Sequence, residues 1–165
     1  IYKGKACEQF EFFPILIKLI DASSNLSVQV HPSDEYALAN EGQYGKSEMW
    51  YVVEASEGAG VYCGFKKEID KEQLKKALYA GEILPLLNFI PVKEGDCIYI
   101  PSGTVHAICG GLLICEVQQN SSLTYRLYDY DRVEKTGKKR ELHIENALKV
   151  VNTSAFCKVN ESVVR

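Results

Sequence analysis

Along residues 26–31 apolar and polar side chains alternate without a break. Leu26, Val28 and Val30 fall on one face, and Ser27, Gln29 and His31 fall on the other. The alternation alone establishes only a strand, yet it sets three polar groups in a row. The same period recurs in 46–53, where Glu48, Trp50 and Val52 share a face, and in 112–119, where Glu116 and Gln118 do. Residues 59–65, 89–92, 98–100, 105–108 and 123–128 read as further strands separated by turns. Gly110-Gly111 predicts a hairpin between the strands on either side of it. The run 12–20 is apolar on both faces and predicts a buried strand. Lys18 inside it needs a partner or a polar cavity, unless the strand is an edge with its ammonium in water.

Helical periodicity is clearest over 70–79, with Asp70 as N-cap, Leu74, Ala77 and Leu78 as the apolar stripe and Gly81 as the stop. Shorter helical pieces are expected at 34–40, 82–88 and 143–150, and His143 reads as a surface residue. Many short strands with little helix predict a mainly β chain, a β-barrel or jelly roll with short helical insertions. At 165 residues, one domain over 1–165 is the expectation.

Two turns, Glu94-Gly95 and Pro101-Ser102-Gly103, flank the strand at 98–100 and deliver His106 to the start of the next apolar run. Such a corner holds an imidazole rigidly at the mouth of a β-structure, which suits a metal ligand. A buried histidine bonded to a neighbour is the alternative. Glu48, facing inward beside Trp50, needs a cation or a raised pKa. Gln29 and His31, about 6–7 Å apart along one strand face, can reach a common ion. Gln29, His31, Glu48 and His106 then make a mixed nitrogen and oxygen set that suits a divalent metal such as Zn²⁺. Lys18, Lys46, Glu116 and Arg126 lie nearby in the same alternation sense.

Composition narrows the partners. Hydrophobic residues make up 46% and charged ones 25%, as in an ordinary folded chain, and the net charge of −3 gives no electrostatic case for nucleic acid. The basic run at 135–140 is explained by a surface loop. Six cysteines at 7, 63, 97, 109, 115 and 157 contain no C-x-x-C pair, so a thiolate zinc site is not expected. No apolar run reaches membrane-spanning length, and a reducing cytoplasm is the default setting.

Several motifs carry a family resemblance. Gly95-x5-Pro101-x-Gly103-x2-His106 fits the second motif of the cupins. Leu26 through His31 to Pro32, Lys46 through Glu48 to Trp50, and Glu116 through Arg126 to Arg132 resemble type I phosphomannose isomerases of the short bacterial kind. The similarity runs from about Phe13 to Phe156. It implies a cupin-type catalytic domain interconverting mannose 6-phosphate and fructose 6-phosphate through a cis-enediol, with one zinc ion per chain. The family's metal ligands fall on Gln29, His31, Glu48 and His106. Its lysine near the substrate falls on Lys18, its phosphate-side serine and lysine on Ser27 and Lys46, its arginine on Arg126 and a further basic position on Arg132. The chemistry then assigns Lys18, Lys46 and Glu116, in no fixed order, to acid–base work, Arg126 to charge stabilisation, and Lys46 and Arg132 to the phosphate. Family members also carry an N-terminal segment and a second cupin-like domain not visible in this chain. Strands missing on that account would leave an open sheet edge for a second copy to cover. A non-catalytic sugar-phosphate-binding module is the alternative reading. An Fe(II) dioxygenase is disfavoured by an amide in the ligand set.

Overall fold

Backbone pairing sorts the strands into two antiparallel sheets. A computed structural model describes residues 4–10, 12–134 and 137–156 and the backbone of 163–164. The first sheet has the order β1 (Ile15–Ala22), β8 (Leu112–Gln119), β3 (Glu48–Ala55), β6 (Cys97–Ile100) and β10 (Val163–Val164). The second has the order β5 (Leu87–Pro91), β4 (Gly60–Phe65), β7 (His106–Ile108), β2 (Val28–Val30) and β9 (Tyr125–Tyr128). Among the described residues there are three α-helices, α1 (Asp34–Asn40), α2 (Lys71–Ala80) and α3 (Ile144–Val150), and two short 3-10 turns at Lys5–Cys7 and Leu84–Leu86. This is the jelly-roll arrangement expected of a cupin-like chain, except that the two sheets do not close into one continuous barrel.

The space between the sheets changes character along its length. Trp50, Val52, Ile98, Ile100 and Ile114 from the first sheet pack on Val61, Cys63, Ile90 and Ile108 from the second. Each such aliphatic side chain contributes about 1.5–3 kcal/mol by leaving water. Toward the start of β3 and the end of β8 the inward positions turn polar. There Glu48 pairs with Gln118 and Trp50 with Glu116, while Val52 faces Ile114. A second core lies on the outer face of the second sheet, where Val28, Val30, Val105, Ala107 and Leu127 meet Leu74, Leu78, Ala147 and Leu148 of the helices. Val28 and Val30 therefore bury outward against helices while Gln29 faces the interior.

The α2 boundaries follow their signals. Asp70 accepts from the Gln73 amide at 2.7 Å, and Gly81 adopts the left-handed φ of 71° that ends the helix. Three expectations need correction. Residues 12–20 do not form a buried strand: β1 begins after Pro14 and is an edge paired with β8. Ile17 is 62% and Leu19 73% exposed, because an edge strand with no layer over its outer face cannot bury both sides. Nor does Gly110-Gly111 close a hairpin. It carries the chain from β7 in the second sheet to β8 in the first, the crossing a jelly roll requires. His143 is not a free surface residue either, since its Nδ1 accepts the Arg126 amide at 3.1 Å at the start of α3. Cys157 and Lys135 lie outside the described residues.

Candidate metal centre

Two glycines bring the site's segments together. Gly103, at φ 82°, donates its amide to the His31 carbonyl at 2.8 Å, tying the turn before β7 to the end of β2. Gly45 packs so closely on the backbone of Pro32, Ser33 and Asp34 that a Cβ there would lie 2.3 Å from Ser33. Lys46 then donates its amide to the Pro32 carbonyl at 3.0 Å, and β3 starts with Glu48 facing inward. On the second sheet Gln29 stands directly opposite His106 on one side and Arg126 on the other.

Hydrogen bonds fix the histidine tautomers. His31 Nδ1 lies 2.8 Å from the Leu123 carbonyl and His106 Nδ1 lies 2.8 Å from the Thr104 carbonyl. A carbonyl only accepts, so both Nδ1 atoms carry the proton and both Nε2 atoms present a lone pair. Those lone pairs converge on Glu48: His31 Nε2 is 3.1 Å from Oε1 and His106 Nε2 is 3.6 Å from Oε2. One ligand atom from each of the three residues lies within 4.8 Å of the others, and all three residues are buried. Among the described residues, His31 Nε2 and Glu48 Oε2 have no hydrogen-bond donor, and the Lys46 ammonium is the one donor at Glu48 Oε1.

Buried acceptors facing one another without a proton between them cost free energy, and a divalent cation removes that cost. The donor set therefore fits a metal, with second-row carbonyls orienting both rings as metal-binding histidines require. Gln29 joins them through its amide, whose Nε2 lies 3.4 Å from His106 Nε2. A half-turn of that amide exchanges nitrogen for oxygen.

Electrostatics at the cluster follow from burial. Desolvation lowers the His31 pKa to about 4 and also pushes His106 below its ordinary value, with Lys46 adding to both effects. For Glu48 burial acts the other way, but His31, His106 and Lys46 outweigh it and hold the carboxyl well below the usual range. Lys46 is 5% exposed, and its Nζ lies 2.5 Å from Glu48 Oε1.

A second group lines the first sheet beside the cluster. Lys18 Nζ donates to Glu116 Oε1 at 3.1 Å and to Gln118 Oε1. Glu116 Oε2 accepts from Trp50 Nε1 at 3.1 Å, while Gln118 donates to the carbonyls of Gln119 and Ser121 at 2.9 Å each. Trp50 also meets the His106 ring edge-to-face at 5.4 Å.

The arginines stand apart in their bonding. Arg126 Nη1 donates to the Glu141 carbonyl at 2.8 Å, its Nε is buried without a partner, and burial followed by Arg140 lowers its pKa. Arg132 donates to the Asn25 carbonyl at 2.8 Å and shares Asp129 Oδ1 with Arg140, each at 2.5 Å. Burial would raise the Asp129 pKa, but those two guanidinium groups bring it below its ordinary value. Ser27 is buried just before β2.

The structure thus brings Gln29, His31, Glu48, His106 and Lys46 to one place, and Lys18 to Glu116. Trp50, Gln118, Asp129 and Arg140 were not anticipated in the polar framework. The shared faces of Trp50 with Glu48 and of Gln118 with Glu116 were the available signal.

A two-sheet jelly roll with a buried His–Glu–His cluster between its layers is the make-up of a cupin with a metal site. No family model matches the chain. It is 51% identical over 139 residues to the mannose-6-phosphate isomerase of Streptococcus mutans, covering 84% of this chain and 44% of that one. The crystal structure of mannose 6-phosphate isomerase from Bacillus subtilis superposes with a TM-score of 0.84 at 42% identity, covering 89% of this chain and 47% of that one. A zinc-bound mannose 6-phosphate isomerase shares the fold at a TM-score of 0.73 and 16% identity, covering 98% of this chain and 60% of that one. The chain is similar over most of its length to proteins named mannose-6-phosphate isomerase, and it spans about half the length of the curated relatives it matches.

Proposed function

We propose that the protein is a zinc-dependent aldose–ketose isomerase that interconverts mannose 6-phosphate and fructose 6-phosphate. The observation that carries the metal reading is the buried convergence of His31, Glu48 and His106 ligand atoms within 4.8 Å of one another, with His31 Nε2 and Glu48 Oε2 lacking any hydrogen-bond donor among the described residues. Gln29, His31, Glu48 and His106 would hold the ion, and four nitrogen and oxygen donors suit zinc. When bound, zinc supplies Lewis-acid polarisation of the sugar oxygens that bear the developing charge.

The chain's own residues carry the remaining chemistry. Isomerisation moves a proton between C1 and C2, which requires a base and an acid within reach. Lys18 and Glu116, joined at 3.1 Å, form a donor–acceptor pair able to exchange that proton. The bond from Trp50 holds Glu116 from behind. Arg126, opposite Gln29 on the ladder, supplies positive charge for the enediol oxygens through a planar fork. Ser27, Lys46 and Arg132 are assigned to the sugar phosphate, with Arg132 first having to share its bonds to Asp129. A cytoplasmic setting belongs to the same proposal, supported by five free thiols among the described residues. The uncovered edge of β1 is where a second copy would add.

Metal analysis together with a coupled assay on fructose 6-phosphate tests the reading. One zinc per chain with turnover is the expected result. A folded, zinc-loaded protein that binds the sugar phosphate without turnover would refute the isomerase and leave a binding module.

A further inference from the structure

The cluster holds three acceptor groups and one cation, and that cation comes from the chain itself. With both imidazoles neutral, the Glu48 carboxylate is the only negative charge among the three ligand residues. Lys46 Nζ sits 2.5 Å from Oε1, the same oxygen that lies 3.1 Å from His31 Nε2. We propose that Lys46 is a placeholder cation, seated on Glu48 while the site is free of metal and displaced when a divalent ion binds. The proposal rests on the metal reading given above.

Geometry forces a choice between the two cations. Oε1 lies 3.1 Å from His31 Nε2 and 2.5 Å from Lys46 Nζ, so an ion that takes Oε1 together with His31 meets the ammonium at that oxygen. Charges of the same sign at such separation repel strongly in a buried site. The backbone cannot relieve this by withdrawing. Gly45 is wedged on Pro32 to Asp34, the Lys46 amide is bonded to Pro32, and the Ser47 amide is bonded to Gln119 Oε1 at 2.7 Å. The flexible four-carbon stem of Lys46 is the part free to move. Metal loading then has two effects: it completes the site and it releases an ammonium group for an anionic ligand. The metal-free protein, for its part, keeps a compensated Glu48 and avoids a bare buried charge.

Two measurements on chelator-treated protein decide the matter. In the first, accessible amines are acetylated with acetic anhydride with and without Zn²⁺, and modification at Lys46 is followed by mass spectrometry. Lys46 should be protected in the metal-free chain and become reactive on zinc addition. Equal protection in both states would overturn the proposal. In the second, zinc affinity is measured by competition with a chromophoric chelator. Removing the competing charged contact should make Lys46→Met bind about ten- to a hundred-fold tighter than wild type. The same variant without metal should melt below wild type. Weaker zinc binding by a folded Lys46→Met would also overturn it. If Lys46→Met does not fold, the acetylation result on wild type decides alone. No zinc uptake by either protein would sink the metal reading itself, an outcome distinct from uptake with Lys46 still protected.

Discussion

Acidifying the metal-free protein should cost it stability in a window set by its buried imidazoles. His31 titrates at 6.5 in an unfolded chain and at about 4 when buried in the cluster. Between those values the unfolded chain binds a proton that the folded chain refuses. The stabilisation is therefore complete above about pH 6.5 and is lost as pH falls toward 4. For this one group the loss at about pH 4.5 works out at about 2.5 kcal/mol. His106, also below its ordinary value through burial, adds to the loss in the same direction. Glu48 and Asp129, both held low, extend it at more acid pH. Denaturant midpoints measured from about pH 7.5 to 4.5 in the presence of a chelator give the curve directly. With zinc restored the fall should be steeper, because protons must then displace the ion. A chelated protein whose stability stays flat between pH 7 and 5 would refute the reasoning: one or both rings would then have to be solvated or already charged.

Other consequences are open to simple assays. Trp50, the chain's single tryptophan, touches the His106 ring, so zinc binding should change its fluorescence emission, and His106→Ala should abolish both the change and stoichiometric zinc. That variant should stay folded by circular dichroism at a cost of about 3 kcal/mol for the emptied ring volume. Gln118→Leu removes the side-chain donor to the Ser121 carbonyl and one of two donors to the Gln119 carbonyl, so chemical denaturation should read a loss of about 1–3 kcal/mol. Arg126→Ala should lower turnover by about 10²–10³ while leaving zinc affinity nearly intact. If the two fell together, Arg126 would be a structural residue.

Much of the site was legible in the sequence because strands have a fixed period. Counting by twos from Gln29 to His31 and from Glu48 to Trp50 places these residues on inward faces without knowledge of the partners. Which strands face each other is a long-range matter, and no local count reports that Gln29 lies against His106 rather than beside Glu116. The apolar run before Asp21 misled for a related reason. Periodicity cannot tell a strand buried on both faces from an edge strand whose outer face no layer covers, and β1 is the latter. Gly110-Gly111 has the residues of a hairpin, but turn composition does not say whether the next strand pairs with the last or crosses to the opposite sheet. The Lys46–Glu48 contact was legible as a shared face but not by the route it takes. Residues two apart on an ideal strand share a face, but Lys46 precedes β3 and reaches Glu48 from the loop held by Gly45.

Glu48 belongs to the first sheet, while His106 starts a strand of the second and His31 follows another. An ion gripped by all three works as a rivet through both layers of the sandwich. Such a rivet cannot be pulled by loosening one ligand at a time from outside; the layers must part first. The escape of metal should therefore keep pace with the breathing of the protein and share its steep dependence on temperature.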